Sequence, residues 1–252
     1  MGKTNEIPAG ISSQILNVLL NQKKHKVKRG FYWETQINFA YNSEKLEGNL
    51  LTQQQTRSIF ETQTLNQRDF NNQVVKADNI IETQNQFRLF DYMLGTYEQP
   101  LTKELICEYH KILKRGTSDD LDNPNFVVGG WKTIPNSIGG HATISPKNVD
   151  AEVEKLLAAY NKKDDIELAD IGKFHALFER IHPFQDGNGR IGRTIMFKEC
   201  LNNNICPFLV LDDSKQVYYN SLQQFEENEE LIVDYLLDMQ FIYFDRFKDL
   251  LP

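Results

Sequence analysis

An all-α fold carrying one small β-hairpin is what this sequence predicts, and three observations predict it. Apolar residues recur at helical spacing in residues 11–20, 36–46, 101–113, 149–160, 171–181 and 230–247. Turn chemistry is concentrated between residues 119 and 146. There Gly129-Gly130, Pro135-Asn136 and Gly139-Gly140 punctuate a stretch holding Val127, Val128, Trp131, Ile134 and Ile144. No internal repeat or low-complexity linker interrupts the 252 residues, a length that can bury a full core.

The elements have local reasons, taken in chain order. Gly48 suits a left-handed position closing the 36–46 helix. Thr102 ahead of Glu104-Leu105 makes a start for the 101–113 helix, and Asn148 before Val149 makes one for the next. The stretch from about 127 to 144 reads as the hairpin. The 171–181 helix exits at His182, because Pro183 disfavours helical backbone at the residue before it.

Composition narrows the function. A net charge of -7 argues against a general nucleic-acid grip, which needs excess Lys and Arg; the short basic stretch 23–29 reads as a solvated loop or helix end. Cys107, Cys200 and Cys206 form no Cys-x-x-Cys pair, so neither a disulfide framework nor a zinc knuckle is indicated. No apolar leader or membrane-length run is present, Glu6 spoils the myristoylation pattern begun by Met1-Gly2, and a cytoplasmic location follows by default.

The chemistry concentrates in His182-Pro183-Phe184-Gln185-Asp186-Gly187-Asn188-Gly189-Arg190-Ile191-Gly192-Arg193. Glycines that let the chain bend toward an anion, followed by a helix start, make a phosphate-binding turn. His182 has the pKa range of a general base for a hydroxyl. Asp186 is a hard oxygen ligand placed to hold magnesium beside phosphates, with a loop carboxylate or N-cap as the rival reading. Arg190 and Arg193 lie three apart on the following helix and could fork onto separate phosphates. His175 and His182 are seven apart, but no third ligand is spaced with them for a metal hydrolase, so His175 reads as a packed helix residue.

Every defined position of that run resembles the HPFx(D/E)GNGRxxR motif of Fic-domain proteins. The likeness extends over residues 96–252, through Glu108-Tyr109-His110, the Gly-rich hairpin and Tyr218-Tyr219. It implies a Fic-type helical bundle with a hairpin flap, and transfer of AMP from ATP to a Tyr, Ser or Thr hydroxyl of a target protein, self-modification included. By resemblance His182 is the base and Asp186 holds Mg2+ or Mn2+. Gly187, Asn188, Gly189 and Arg190 form the anion-holding turn, Arg193 fixes the γ-phosphate, and Tyr218 and Tyr219 line the adenine pocket. Thr133, Ile138 and His141 on the flap would align the target. Glycine at 189, where kinase-like relatives carry lysine, favours AMP transfer over phosphate transfer.

Ser43-Glu44-Lys45-Leu46-Glu47-Gly48 resembles the family's inhibitory pattern (S/T)xxxE(G/N). It implies an N-terminally autoinhibited protein in which Glu47 pairs with Arg193. Residues 1–95 would then be a helical region carrying the inhibitory helix, about 36–48, ahead of a catalytic core at 96–252. Two other readings stay open: removal of AMP at the same site, and a nucleotide-sensing, antitoxin-like module. A homodimer is also left open.

Overall fold

The computed structural model describes residues 7–65 and 74–252; Met1-Gly2 and Glu6 lie outside them. The described residues form eleven α-helices and one antiparallel two-stranded ribbon. In order these are α1 (Ile11–His25), α2 (Phe31–Leu46), α3 (Gln53–Thr62), α4 (Ala77–Gly95), α5 (Lys103–Lys114), α6 (Ser118–Asp122), β1 (Ser137–Ile138), β2 (His141–Ala142), α7 (Pro146–Tyr160), α8 (Leu168–Ile181), α9 (Asn188–Asn202), α10 (Lys215–Gln223) and α11 (Glu230–Phe247).

Several starts and stops follow from identifiable caps. Thr102 accepts a hydrogen bond from the Leu105 amide at 3.2 Å, as its position predicts. The expected start at Asn148 is corrected: α7 begins at Pro146 behind Ser145, because proline supplies a preset first-turn φ and lacks the N–H that would go unpaired there. Helix α2 ends in a Schellman motif. Gly48 takes φ +83, its amide reaches the Lys45 carbonyl at 3.0 Å, and the Asn49 amide reaches the Glu44 carbonyl at 3.0 Å.

The hairpin is shorter than the sequence predicts. Gly139 and Gly140, both at positive φ, make the two-residue turn between β1 and β2, with Ser137 opposite Ala142 and Ile138 opposite His141. The preceding residues, expected to form the ascending strand from about 127, instead bond to the motif loop. The Lys132 amide donates to the Pro183 carbonyl at 2.8 Å and Asn136 Nδ2 to the Phe184 carbonyl at 3.0 Å.

Helix α9 runs through the middle of the molecule, buried at every position from Arg190 to Leu201. Phe39 of α2, Phe90 of α4 and Phe197 of α9 pack on one another with ring centroids 5.2–5.6 Å apart. Helices α2 and α4 therefore share one core with the motif helix. That packing delivers the end of α2 to the glycine-rich run that begins at His182. No helix among the described residues is long and apolar enough to cross a membrane.

Candidate active site

His182 is the residue after α8, with left-handed backbone at φ 49. This turns its ring out of the helix line while its amide still bonds to the Phe178 carbonyl at 2.9 Å. Its Nδ1 lies 3.2 Å from the Glu179 carbonyl. A carbonyl can only accept, so Nδ1 carries the proton and Nε2 keeps its lone pair. Burial lowers the imidazole pKa, and Lys132 adds to that effect, so the ring is neutral at pH 7.

The loop beyond it is built by side chains that fold back on the backbone. The Asn188 amide closes a ring with Phe184, its Oδ1 accepting from the Phe184 amide at 2.8 Å and its Nδ2 donating to the Phe184 carbonyl at 2.9 Å. Asn188 thus shapes the turn from a buried position. Gly187, at φ +85, caps α9, and a Cβ there would press on Leu113. His110 stacks on Phe184 with centroids 3.9 Å apart. Its Nδ1 accepts from the Gly129 amide at 2.9 Å, which places its proton on Nε2, 3.2 Å from the Asp186 carbonyl.

Asp186 keeps 46% of its side chain exposed, yet Oδ2 lies 2.7 Å from Lys114 Nζ and 2.9 Å from Arg190 Nη2. Burial would raise its pKa, but those two cations prevail and hold it well below the usual carboxylate range. Arg190 does not point into a cleft beside Arg193. Its guanidinium, 2% exposed, is enclosed by Glu82 at 2.7 Å, Asp186 at 2.9 Å and Glu44 at 3.3 Å.

Arg193 faces the end of α2. Nε donates to Ser43 Oγ at 3.0 Å, and Nη2 donates to the Ser43 carbonyl at 3.0 Å and to Glu47 Oε1 at 2.6 Å. A Cβ at Gly189 would overlap that same Glu47 oxygen. The carboxylate of α2 therefore rests on the N-terminal turn of α9, where amides without helical partners and a guanidinium converge.

The Fic/DOC family model matches residues 100–200, the stretch that holds α5, the hairpin, the motif loop and most of α9. That stretch is a Fic domain. It is 25% identical over 203 residues to the protein adenylyltransferase Fic of Aedes aegypti and 25% identical over 198 residues to protein adenylyltransferase fic-1 of Caenorhabditis elegans. Those alignments cover 78% and 75% of this chain and 38% and 36% of the relatives, so the chain spans about two-fifths of their length. A Fic domain containing signaling protein of Bacteroides thetaiotaomicron superposes with TM-score 0.75 at 23% identity, over 92% of both chains. Residues 134–508 of the worm Fic-1 superpose with TM-score 0.72 at 17% identity, over 96% of this chain and 72% of that one. The all-α bundle with its small hairpin is thus the Fic fold.

Within that Fic fold the outlying residues fall in varied places. Tyr218 is fully buried, 2.5 Å from His175 Nε2, and has no open face on which a purine could stack; this also accounts for His175. Tyr219 is 41% exposed and donates to the Leu46 carbonyl at 2.8 Å, which fastens the end of α2. On the hairpin, Ile138 is exposed, whereas Thr133 donates to the Asn125 carbonyl at 2.8 Å. His141 lies opposite Ile138, and its side chain is outside the described residues.

Sequence reasoning missed Lys114, Glu82 and Glu44, which surround Asp186 and Arg190, as well as Lys132 and Asn136 beneath the hairpin. Only spatial proximity marks Lys114, Glu82, Lys132 and Asn136. Glu44 lay inside the motif already singled out, and its place one helical turn from Glu47 was the available signal.

Proposed function

We propose that this chain is a protein adenylyltransferase that transfers AMP from ATP to a hydroxyl side chain of a protein, held back by Glu47. The observation that carries the reading is His182: a neutral imidazole whose Nδ1 is committed to a carbonyl, leaving Nε2 free beside a glycine-rich helix start. In the reaction Nε2 takes the proton from the Tyr, Ser or Thr hydroxyl as its oxygen attacks the α-phosphate in line. The bond to the bridging oxygen breaks and pyrophosphate leaves.

The amides at the start of α9 and the Arg193 guanidinium supply the positive field for the phosphates. Asp186, ionised and partly exposed, would be the residue to hold a divalent ion such as Mg2+ or Mn2+, whose positive charge would favour departure of pyrophosphate. Free Cys107, Cys200 and Cys206 suit a reducing compartment such as the cytoplasm. Glu47 supports the inhibitory part of the reading, because it occupies the guanidinium that a γ-phosphate would use.

Transfer of label from α-labelled ATP with Mg2+ tests the reading on this chain, Glu47→Gly, and Glu47→Gly with His182→Ala, each offered a cell lysate. Label on protein in Glu47→Gly, reduced at least ~100-fold by His182→Ala, is expected. Absence of label in every variant while another nucleotide reacts would remove ATP as the donor.

A further inference from the structure

Lys132 is 3% exposed, and no carboxylate offsets the burial, which lowers its ammonium to about 8. All three acceptors of Nζ are neutral oxygens: Asn136 Oδ1 at 2.7 Å, Thr143 Oγ1 at 2.6 Å and the Ile181 carbonyl at 3.2 Å. Buried cations are ordinarily paired with anions, so one held only by neutral acceptors is a costly arrangement.

The acceptors lie on three separate segments. Asn136 leads into β1, Thr143 follows β2, and Ile181 is the residue before His182. Further bonds close the ring: Thr143 Oγ1 donates to Asn136 Oδ1 at 2.5 Å, Asn136 Nδ2 reaches the Phe184 carbonyl, and the Lys132 amide reaches the Pro183 carbonyl. Above this knot the hairpin has only two residues per strand, too few to hold its own orientation. One ammonium thus ties both legs of a marginal ribbon to the backbone beside the base.

We propose that Lys132 is a positioning residue for the transfer reaction: it locks both legs of the hairpin to the chain beside His182 and so sets where an incoming hydroxyl meets that base. The role rests on the function proposed above. Four groups face the imidazole: Glu179 from α8, Lys132 from the hairpin leg, Glu47 from α2 and Asp186 from the motif loop. The carboxylates and the Glu179 carbonyl favour its protonation, whereas Lys132 opposes it.

The test uses the full chain with Glu47→Gly, alone and combined with Lys132→Met, which keeps the stem and removes the charge, or with Lys132→Arg. In Lys132→Met the amides of residues 134–143 should exchange hydrogen about tenfold faster. The His182 imidazole, assigned in NMR spectra by its loss in His182→Ala, should titrate at a higher pH. Lys132→Arg should restore the titration. Where label is transferred, Lys132→Met should lower kcat about tenfold and leave KM for ATP unchanged. Hydrogen exchange and the imidazole titration need no turnover, so they report on Lys132 even if the donor assignment fails. Unchanged exchange together with an unchanged His182 titration in folded Lys132→Met would overturn the proposal; should that variant not fold, Lys132→Gln gives the same two readouts.

Discussion

Glu47 Oε1 and Arg193 Nη2 meet at 2.6 Å across 146 residues of sequence. The guanidinium is 4% exposed and the carboxylate 29%. Burial would lower the Arg193 pKa, but Glu47, with Tyr218 and Glu179, outweighs it and the group is held above its ordinary range. On the proposed reading this pair obstructs the site and stabilises the fold at once, because a buried arginine that loses its carboxylate is left uncompensated.

Glu47→Gly should therefore release activity and weaken the fold together. Transfer of label should rise about tenfold or more, a coupling typical of an inhibitory contact. Stability in urea should fall by about 1–3 kcal/mol, because the buried Arg193 would lose the carboxylate bonded to it. Higher transfer without loss of stability would mean that the carboxylate is not bearing on the arginine in solution.

Gly189→Ala offers an independent view of the same contact. Its methyl would overlap Glu47 Oε1, and otherwise chiefly the flexible Arg193 tip. The substitution should destabilise this chain by about 1 kcal/mol or more and cost distinctly less when Glu47→Gly is already present. Equal costs in the two backgrounds, measured by urea unfolding, would show that the two sites are not coupled.

Tyr219→Phe removes the hydroxyl that fastens the Leu46 carbonyl. A loss of about 0.5–1.5 kcal/mol in urea is expected. Basal transfer should rise, by less than in Glu47→Gly, because Arg193 keeps its carboxylate. Transfer rates of Tyr219→Phe and Glu47→Gly measured side by side decide the order.

The fold class, the hairpin turn and the motif loop were legible because each is written in local chemistry. Pro183 ends α8 at His182, Gly48 terminates α2, and Gly139-Gly140 makes the turn. Helices α3 and α4 were missed for a physical reason: their buried faces carry Gln55, Thr56, Glu82, Thr83, Asn85 and Gln86, so polar residues stand where the sequence reading looks for apolar ones. The fate of Arg190 was hidden too. Two of its three carboxylates come from α2 and α4, and three residues' separation from Arg193 does not reveal that each guanidinium turns to a different set.

Acidity gives a further expectation. Burial pushes the Glu179 carboxyl up to about 8, beyond the lowering by Arg193. An unfolded carboxyl releases its proton near 4.3, so between there and about pH 8 the folded chain holds a proton that the unfolded chain has lost. Stability then falls with rising pH through that window. Glu179→Gln should flatten this slope, its Tm relative to the parent rising steadily from pH 5 to pH 8. A difference in Tm that does not change with pH would mean that Glu179 is ionised in the fold.

The proposed function rests centrally on competition between the Glu47 carboxylate and a triphosphate for Arg193, and calorimetric binding of a non-hydrolysable ATP analogue and of AMP, with Mg2+, tests it most directly. Glu47→Gly should bind the triphosphate about tenfold tighter than this chain does, while AMP affinity stays the same. Equal triphosphate affinities, or an equal gain for AMP, would contradict the assignment of Arg193 as the seat that Glu47 occupies.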